Sequence, residues 1–532
     1  MVDEQRANRG GVLRVLGMGI AMVGVILGAP AMASEPDPAM AERHLATWQI
    51  ADARASLEVV EASGVESPYI DYLRGRYAFY TGDYDEAQTL LARATEGESN
   101  ERWEQLQTLV EQTRSVVDGY KRHESESGRF VMYVEPGPDE VLVPFAFEAL
   151  ELAYDAIGEE LGHYPDEPVR VEVYPSESVL ADVSLLTEEN IRNSGTIALC
   201  QYNRLMITSP RALLRGYTWV DTLVHEYIHL VINQRTTEEV PIWMHEGLAK
   251  FLERRWRGED AHRLDGTAEQ ILERRLDEGN LVEFEDMNPS MALLPTREDT
   301  AVAFAQVYTT MEYLRQELGS GAFEALLDAI NEGYESREAY ARVLGTEWDR
   351  FENYTWRNYL HRRQASAMPE DEEQAFEDEL VFEDEATSDL DQVEDEEAKA
   401  YMQLGQMLEV RGRYRAAAVQ YQKAEDEMGD ENPMLQGRLA KTLTLGGDPE
   451  SAVAALERVR ELHPGVVTIW LELGRAKVEL GRYEQAREVL HEAARLNPFN
   501  PEIHEMLVDV YDELGEHDDS QRARHFRDLV GS

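Results

Sequence analysis

Residues 224–230 read Val-His-Glu-Tyr-Ile-His-Leu, which has the HExxH spacing of a metal-binding helix. On a helix, His225 and His229 are one turn apart and project from the same face, so both can bind one Zn²⁺. Glu226 lies next to that face and can take a proton from a water molecule on the metal. The alternative is a helix whose histidines only pack or form hydrogen bonds.

A second stretch, residues 243–249, reads Trp-Met-His-Glu-Gly-Leu-Ala and begins the next predicted helix. Glu246 lies 17 residues after His229, which is enough chain for one helix to end and the next to return antiparallel, with Glu246 facing the two histidines. Together the two stretches resemble the gluzincin zinc peptidases, in which HExxH is followed by a glutamate on a second helix. The resemblance is closest to the bacterial peptidase MA-like branch and covers roughly residues 129–360.

The resemblance implies an α+β zincin-like metallopeptidase domain with Zn²⁺ held by His225, His229 and Glu246 and a fourth position for water. The metal would lower the pKa of that water to about 7. Glu226 would take the proton and later deliver it to the leaving amine. By analogy with downstream tyrosines of gluzincins, Tyr308 would donate a hydrogen bond to the oxyanion; the alternative is a core tyrosine.

The sequence departs from the gluzincin pattern at one position that matters for the metal. Some gluzincins place an acid one turn after the ligand glutamate, where this chain has Lys250. The partner that orients a histidine ligand must therefore come from elsewhere, and Asp221, one turn before the motif, is our candidate. His245 would supply a proton or form a wall of the site. An edge strand, either 196–200 or 204–208, is expected to pair with an extended peptide substrate.

Hydrophobic patterning predicts strands first and helices after them in residues 125–363, which we call the middle domain. Alternation predicts strands at 129–134 and 168–173, and a turn at residues 201–203 joins the two strands of a hairpin. Ser209 and Pro210 predict the start of the metal helix, which extends to residue 233. Further helices are predicted over residues 144–161, 242–257, 266–277, 301–317, 321–331 and 346–360.

Residues 398–532, which we call the repeat array, carry an internal repeat. Glycines recur at spacings of 35, 34 and 34, at positions Gly412, Gly447, Gly481 and Gly515. Small residues follow the glycines at Ala417, Ala452, Ala486 and Ser520, and Gly405, Ala440, Gly474 and Val508 precede them. The pattern resembles the tetratricopeptide repeat, and this implies an all-α helical solenoid that binds protein partners.

The same offsets recur at Gly75, Gly82, Ala87 and Ala94. Residues 40–120 are therefore predicted to form degenerate repeats of the same kind; the alternative is any helical hairpin with small contact residues. Residues 364–397 contain sixteen acidic residues and no basic ones, which predicts an acidic disordered linker. A short acidic recognition segment is the alternative for the linker.

The N-terminus is predicted to be a secretory signal peptide, residues 1–33. Arginines precede an apolar run from Val15 to Ala29, and Ala31-Met32-Ala33 provides the cleavage site. An uncleaved membrane anchor is the alternative, because residues 15–33 are just long enough to cross a bilayer. The sequence therefore predicts an exported protein, periplasmic or extracellular, with no stable membrane span after cleavage.

The chain has 104 Asp and Glu residues against 51 Lys and Arg residues, a net charge of -53 over 532 residues. Such a field repels polyphosphates and anionic membranes, so nucleic acid is excluded as an expected partner. Substrates and partners are expected to be neutral or basic. The single cysteine, Cys200, excludes an intramolecular disulfide and is predicted to be a buried thiol rather than a nucleophile.

Three functions are compatible with these patterns. The first is an exported zinc metalloendopeptidase whose repeats recruit protein partners. The second is an interaction scaffold whose zinc domain is vestigial and catalytically inactive. The third is a zinc hydrolase that acts on another amide, such as a cell-wall peptide crosslink. The intact set of His225, Glu226, His229 and Glu246 favours the first.

The excess negative charge predicts that salt stabilises this protein. Raising NaCl from about 0.1 M to about 1 M shortens the Debye length from about 10 Å to about 3 Å, which screens the repulsion between surface carboxylates. We expect the midpoint of thermal unfolding and the hydrolytic activity both to rise with salt. Equal midpoints and equal activity at the two concentrations would indicate that the acidic composition only reflects a bias of codon usage.

Overall fold

The computed structural model describes residues 37–531, apart from 214–216, 259–260, 262–263, 265, 289, 365–392, 394 and 430–431. The predicted signal peptide lies outside the described residues, and so does most of the predicted linker. No helix within the described residues is long and apolar enough to cross a membrane.

Within the part of the chain that the structure describes, five helices precede the sheet, and we call them the N-terminal module. They are α1 (Pro38–Ala46), α2 (Ile50–Ala62), α3 (Pro68–Thr81), α4 (Tyr84–Gly97) and α5 (Glu101–Val117). Gly82 ends α3 with a φ of 81°, and Gly75 lies so close to Leu91 that a Cβ atom there would lie 2.8 Å from the leucine side chain. The two glycines thus permit the tight turn and the close helix crossing of this hairpin. Its assignment to the tetratricopeptide family stays a prediction.

A five-stranded mixed sheet opens the middle domain, with the order β1-β2-β3-β5-β4. The strands are β1 (Lys121–Glu124), β2 (Phe130–Val134), β3 (Val169–Tyr174), β4 (Ala198–Gln201) and β5 (Arg204–Thr208). The central three are parallel, and β1 and β4 pair antiparallel at the two edges. Of the two candidate edge strands, 204–208 was therefore wrong, because β5 lies between β3 and β4.

The helices of the middle domain follow the sheet or connect its strands. They are α6 (Val143–Leu161), α7 (Glu177–Asp182), α8 (Glu188–Ser194), α9 (Trp219–Arg235), α10 (Ile242–Leu252), α11 (Gly266–Asp277), α12 (Arg297–Leu318), α13 (Ala322–Asn331), α14 (Ser336–Leu344), α15 (Trp348–Arg350) and α16 (Arg357–Gln364). The predicted start of the metal helix at Ser209 and Pro210 was wrong. Pro210 begins only one 3₁₀ turn, which ends where Leu213 becomes extended, and α9 begins at Trp219.

Alternation along β3 explains how both faces of the sheet are covered. Val169, Val171 and Val173 point into the core that the sheet forms with α6 and α9. The residues between them point to the opposite face, where Tyr174 packs beside α7 and the side chain of Glu172 meets the N-terminal module. A strand with both faces buried positions the hairpin of β4 and β5 next to α9.

Four helix pairs form the repeat array. They are α17 (Glu396–Val410) with α18 (Tyr414–Met428), α19 (Pro433–Leu445) with α20 (Pro449–Leu462), α21 (Val467–Glu479) with α22 (Tyr483–Leu496), and α23 (Pro501–Leu514) with α24 (His517–Val530). The four predicted glycines lie in the turns within these pairs, with φ between 67° and 89°. The prediction of a helical solenoid is confirmed.

A buried ionic cluster joins the N-terminal module to the sheet around Glu172, whose side chain is fully buried. Tyr84 of the module and Tyr174 both donate hydrogen bonds to its carboxylate. Arg170 Nε lies 2.5 Å from Glu172 Oε1, and Arg204 Nε lies 3.4 Å from Oε2. Burial alone would raise the pKa of Glu172, but the two guanidinium groups and the phenols outweigh it and lower the pKa to about 2. The cluster is therefore charged and fully paired at neutral pH.

Replacing Glu172 by Gln should destabilise the protein by about 3–5 kcal/mol, because it leaves the buried Arg204 without its counter-charge. Unfolding in urea, followed by tryptophan fluorescence, measures the loss. Glu96→Gln, an exposed glutamate of the N-terminal module, is the matched control and should leave stability unchanged. The difference between wild type and Glu172→Gln should be full above pH 4.5 and shrink as pH falls toward 2, since the wild-type carboxylate is protonated there. A constant difference across that window would contradict the assignment.

Candidate metal centre

Helix α9 carries the two histidines on its one partly open side. Its other faces pack in the core through Leu223, Tyr227 and Ile228, all fully buried. The side chains of His225 and His229 are 13% and 12% exposed, and their ring centroids lie 4.8 Å apart. Burial of the surrounding helix thus fixes the direction in which both imidazoles project.

Helix α10 brings Glu246 against both rings. Glu246 Oε2 lies 3.2 Å from His225 Nε2 and 3.6 Å from His229 Nε2. The next residue is Gly247, where a Cβ atom would lie 3.1 Å from the carbonyl oxygen of Val307 in α12. A larger residue there would push α10 away from α12. The glycine thus allows α10 to pack closely on α12, with Glu246 next to the two histidines.

The spacing of these donor atoms fits a tetrahedral metal ion. Ligand bonds of about 2.0–2.1 Å in a tetrahedral zinc site place neighbouring donor atoms about 3.3 Å apart. The two distances from Glu246 to the histidines bracket that value. Ligand atoms of His225, Glu226 and His229 also lie within 4.8 Å of one another. The residues present therefore fit a metal ion held by two imidazoles and one carboxylate, with Glu226 beside it.

Glu253 orients His225, and this residue was missed in the sequence. His225 Nδ1 lies 3.1 Å from Glu253 Oε2, and Lys250 Nζ donates to Glu253 Oε1 at 2.8 Å. Burial alone would raise the pKa of Glu253, but Lys250 and the bond with His225 lower it to about 2. Asp221 was the wrong candidate for this partner, because Arg254 and Arg257 engage its carboxylate. The available signal was the second acid seven residues after Glu246, on the same side of α10.

His225 lies between two carboxylates. Burial lowers the pKa of this imidazole, but its hydrogen bonds with Glu246 and Glu253 outweigh burial and raise the pKa to about 10. The pKa of Glu246 is held well below its usual range, since the neighbouring histidines outweigh its burial. The site is thus built to stabilise positive charge.

His245 takes the corresponding place beside the second histidine. His229 Nδ1 lies 2.6 Å from His245 Nδ1, and His245 Nε2 lies 3.4 Å from Asn233 Oδ1. Burial and the neighbouring His229 lower the pKa of His245 to about 3, so its ring is neutral. A neutral ring can accept a hydrogen bond at Nδ1 and donate at Nε2, which would leave Nε2 of His229 for a metal.

Glu226 lies at the junction of the metal helix and the sheet. It is 7% exposed, and the backbone N–H of Cys200 in β4 faces its carboxylate and favours the charged form. Burial raises the pKa of Glu226 against the opposing effect of both histidines. Burial and Glu226 together raise the pKa of the Cys200 thiol well above its usual range, the opposite of what a nucleophile requires.

The structure does not bring Tyr308 together with these residues. Its ring is buried in α12 and packs on Phe251, with centroids 5.4 Å apart. Burial raises the pKa of its phenol, followed by the charge of Glu312. This position matches the alternative of a core tyrosine. Tyr217 is the tyrosine whose pKa Glu226 influences, and its hydroxyl donates to the carbonyl of Thr208 at 2.5 Å.

The free edge of β4 lies beside the site. Tyr202 and Asn203 form the two-residue hairpin turn, with φ values of 55° and 59°. This turn places Gln201 opposite Arg204. Hydrogen-bonding direction alternates along an antiparallel strand, so Ala198 and Cys200 direct their backbone groups away from β5. The strand β4 packs against α9, and the N–H of Cys200 faces Glu226 on this edge.

Comparison with known protein families agrees with this geometry. Residues 152–362 match the family model of the peptidase MA superfamily. Over those residues the middle domain is similar to the peptidase MA superfamily. Residues 443–508 match the model of the tetratricopeptide repeat. No curated protein matches the chain.

Solved structures similar to the chain include tetratricopeptide proteins. A thermophilic TPR protein of Thermus thermophilus is 27% identical, with 24% of this chain and 72% of that chain covered and a TM-score of 0.23. The crystal structure of MamA protein is 25% identical, with 26% and 74% covered and a TM-score of 0.24.

Replacing Glu253 by Gln should weaken metal binding about 10- to 100-fold, because the partner that orients His225 loses its charge. Competition between the protein and a chelator for Zn²⁺ measures the dissociation constant. Glu239→Gln, an exposed glutamate in the loop between α9 and α10, is the control. Equal affinities of Glu253→Gln and wild type would show that His225 is oriented without Glu253.

Proposed function

We propose that this protein is an exported zinc metalloendopeptidase. The observation that carries the proposal is the convergence of His225, His229 and Glu246 on one point, with Glu226 beside it. Two imidazoles and a carboxylate are a ligand set typical of catalytic zinc sites, which keep a fourth position open. The peptidase MA superfamily match supports the same reaction class.

Several residues of the chain have separate roles in the proposed reaction. A bound Zn²⁺ would supply Lewis acidity, which lowers the pKa of a water molecule and polarises the carbonyl of the bond to be cleaved. Glu226 takes the proton as this water attacks and delivers it to the leaving amine. The N–H of Cys200 faces the Glu226 carboxylate and favours its charged form. Glu253 and His245 keep the two imidazoles in the required orientation.

The substrate is an extended peptide that pairs with β4. Ala198 directs its backbone groups away from β5, and pairing there would place a peptide bond next to Glu226. Pairing through the backbone accepts many side chains, which suits an endopeptidase. The net charge of -53 favours neutral or basic segments.

The tetratricopeptide repeats would recruit protein partners, as the repeat family does. Export follows from the predicted signal peptide at residues 1–33, and an exported protein meets the external salt directly.

Glu226→Gln should keep stoichiometric zinc and lose about 10²- to 10⁴-fold in peptide cleavage, since the variant cannot take the proton from water. Zinc content by atomic absorption and cleavage of casein and a peptide library measure the two properties. Glu239→Gln serves as the matched control and should equal wild type in both.

Other outcomes of these measurements would each contradict a different part of the proposal. A zinc-free wild type would contradict the ligand assignment. Equal cleavage by wild type and Glu226→Gln would contradict the role of Glu226. Zinc without cleavage of any peptide by wild type would favour the inactive scaffold, or a hydrolase of other amides if cell-wall crosslinks are cleaved instead.

A further inference from the structure

The repeat array docks on the middle domain at the start of the metal helix. Trp219, the first residue of α9, is fully buried and donates from Nε1 to the carbonyl oxygen of Arg495 at 2.6 Å. The Arg495 side chain pairs with Glu148 of α6 at 2.7 Å. Gly465, in the loop before α21, lies against Thr218, which precedes α9. Two contacts of the array therefore lie at the N-terminal end of the helix that bears His225, and a third joins the array to α6.

An ionic network extends from the array into α9. Glu492 of α22 pairs with Arg257 at 2.6 Å, and Arg257 pairs with Asp221 at 2.9 Å. Trp256 also donates to Asp221 from Nε1, at 3.2 Å. Asp221 is 6% exposed and lies one turn before His225 on α9. The array thus supplies the outermost member of a chain of charges that ends next to a metal ligand.

The segment from residue 253 to residue 257 contacts both His225 and the repeat array. Glu253 holds the ring of His225, and the next residue, Arg254, lies 3.3 Å from Asp221 Oδ2. Arg257 completes the segment by binding Asp221 and Glu492 together. A shift of this segment would therefore move the carboxylate that orients His225.

We propose that the repeat array is a positioning element of the metal centre, with Glu492 and Arg495 as its positioning residues. Docking holds Trp219 and the 253–257 segment, and these hold His225 in the orientation that binds metal. The array then does more than recruit partners, because a partner that loosens the docked array would weaken metal binding. The inference rests on the proposed function for the identity of the metal, and the exchange measurement below does not depend on it.

The double variant Glu492→Lys/Arg495→Glu tests the proposal in the full chain. It keeps an opposite-charge pair within α22 while it repels Arg257 and Glu148 across the interface. Hydrogen exchange of the metal-free protein reports docking at residues 492–500 and the order of α9 at residues 219–229. Chelator competition with Zn²⁺ reports affinity. Glu488→Lys, exposed on the same helix, is the control.

We expect faster exchange in both regions and a zinc affinity about 2- to 30-fold weaker in the double variant, with the control unchanged. Adding Glu148→Arg, which faces the new carboxylate, should recover part of both losses. Arg257→Met lies outside the array and cannot unfold it, and it should weaken zinc binding in the same range.

Three results would overturn the proposal. One is faster exchange at residues 492–500 with unchanged α9 exchange and zinc affinity. Another is unchanged exchange throughout, which would show that these ion pairs do not hold the array. The third is wild-type zinc affinity in Arg257→Met. A wild type without zinc would instead overturn the proposed function, and the exchange of α9 would still decide whether docking orders the metal helix.

Discussion

The carboxylate of Glu246 lies between the imidazoles of His225 and His229, and the rest of the middle domain keeps these three groups together inside a core. Burying charged groups costs several kcal/mol each unless partners surround them. The cost explains why each histidine ligand has a second contact: Glu253 at His225 and His245 at His229. It also explains the glycine after Glu246, since a wider separation of α10 and α12 would admit solvent and loosen the pairing.

Two helical modules brace two elements of the candidate site, the β4–β5 hairpin and α9. The N-terminal module packs Phe79 on Tyr202 at the tip of the β4–β5 hairpin, with ring centroids 5.0 Å apart. Tyr202 has a φ of 55°, a conformation that costs a residue with a side chain about 1 kcal/mol, and the aromatic contact offsets this cost. The strand that would bind substrate is therefore held from one side, and α9 is held by the repeat array from the other.

Local spacing explains which parts of this structure could be predicted from the sequence. The fold class, the two metal-site helices and the four repeats follow from short-range periodicity, because a helix fixes which residues share a face. The residues that support the site do not, since their partners come from contacts across the fold. Asp221 and Glu253 are both acids that lie one or two helical turns from a predicted ligand. The packing of residues 254–257 distinguishes them. It brings arginines to Asp221 and leaves Glu253 beside His225. Tyr308 likewise lies on a face of α12 that the sequence does not distinguish from the site. The strand β1 and the late start of α9 were missed because neither has a strong local signal.

The acidity of the chain acts differently at the surface and at its interfaces. Exposed carboxylates repel one another, and salt screens that repulsion. The carboxylates at module boundaries are paired with arginine instead: Glu172 with Arg204, and Glu492 with Arg257. The Glu172 and Arg204 side chains are fully buried, and those of Glu492 and Arg257 are 14% and 24% exposed, so salt screens these pairs less than it screens the surface. Added salt therefore relieves the repulsion between surface carboxylates while it leaves the contacts that dock the modules largely intact. The guanidinium group has several N–H donors in a forked arrangement, and this explains why arginine rather than lysine lies at these boundaries. Arg257, for example, binds Asp221 and Glu492 at once through separate nitrogens.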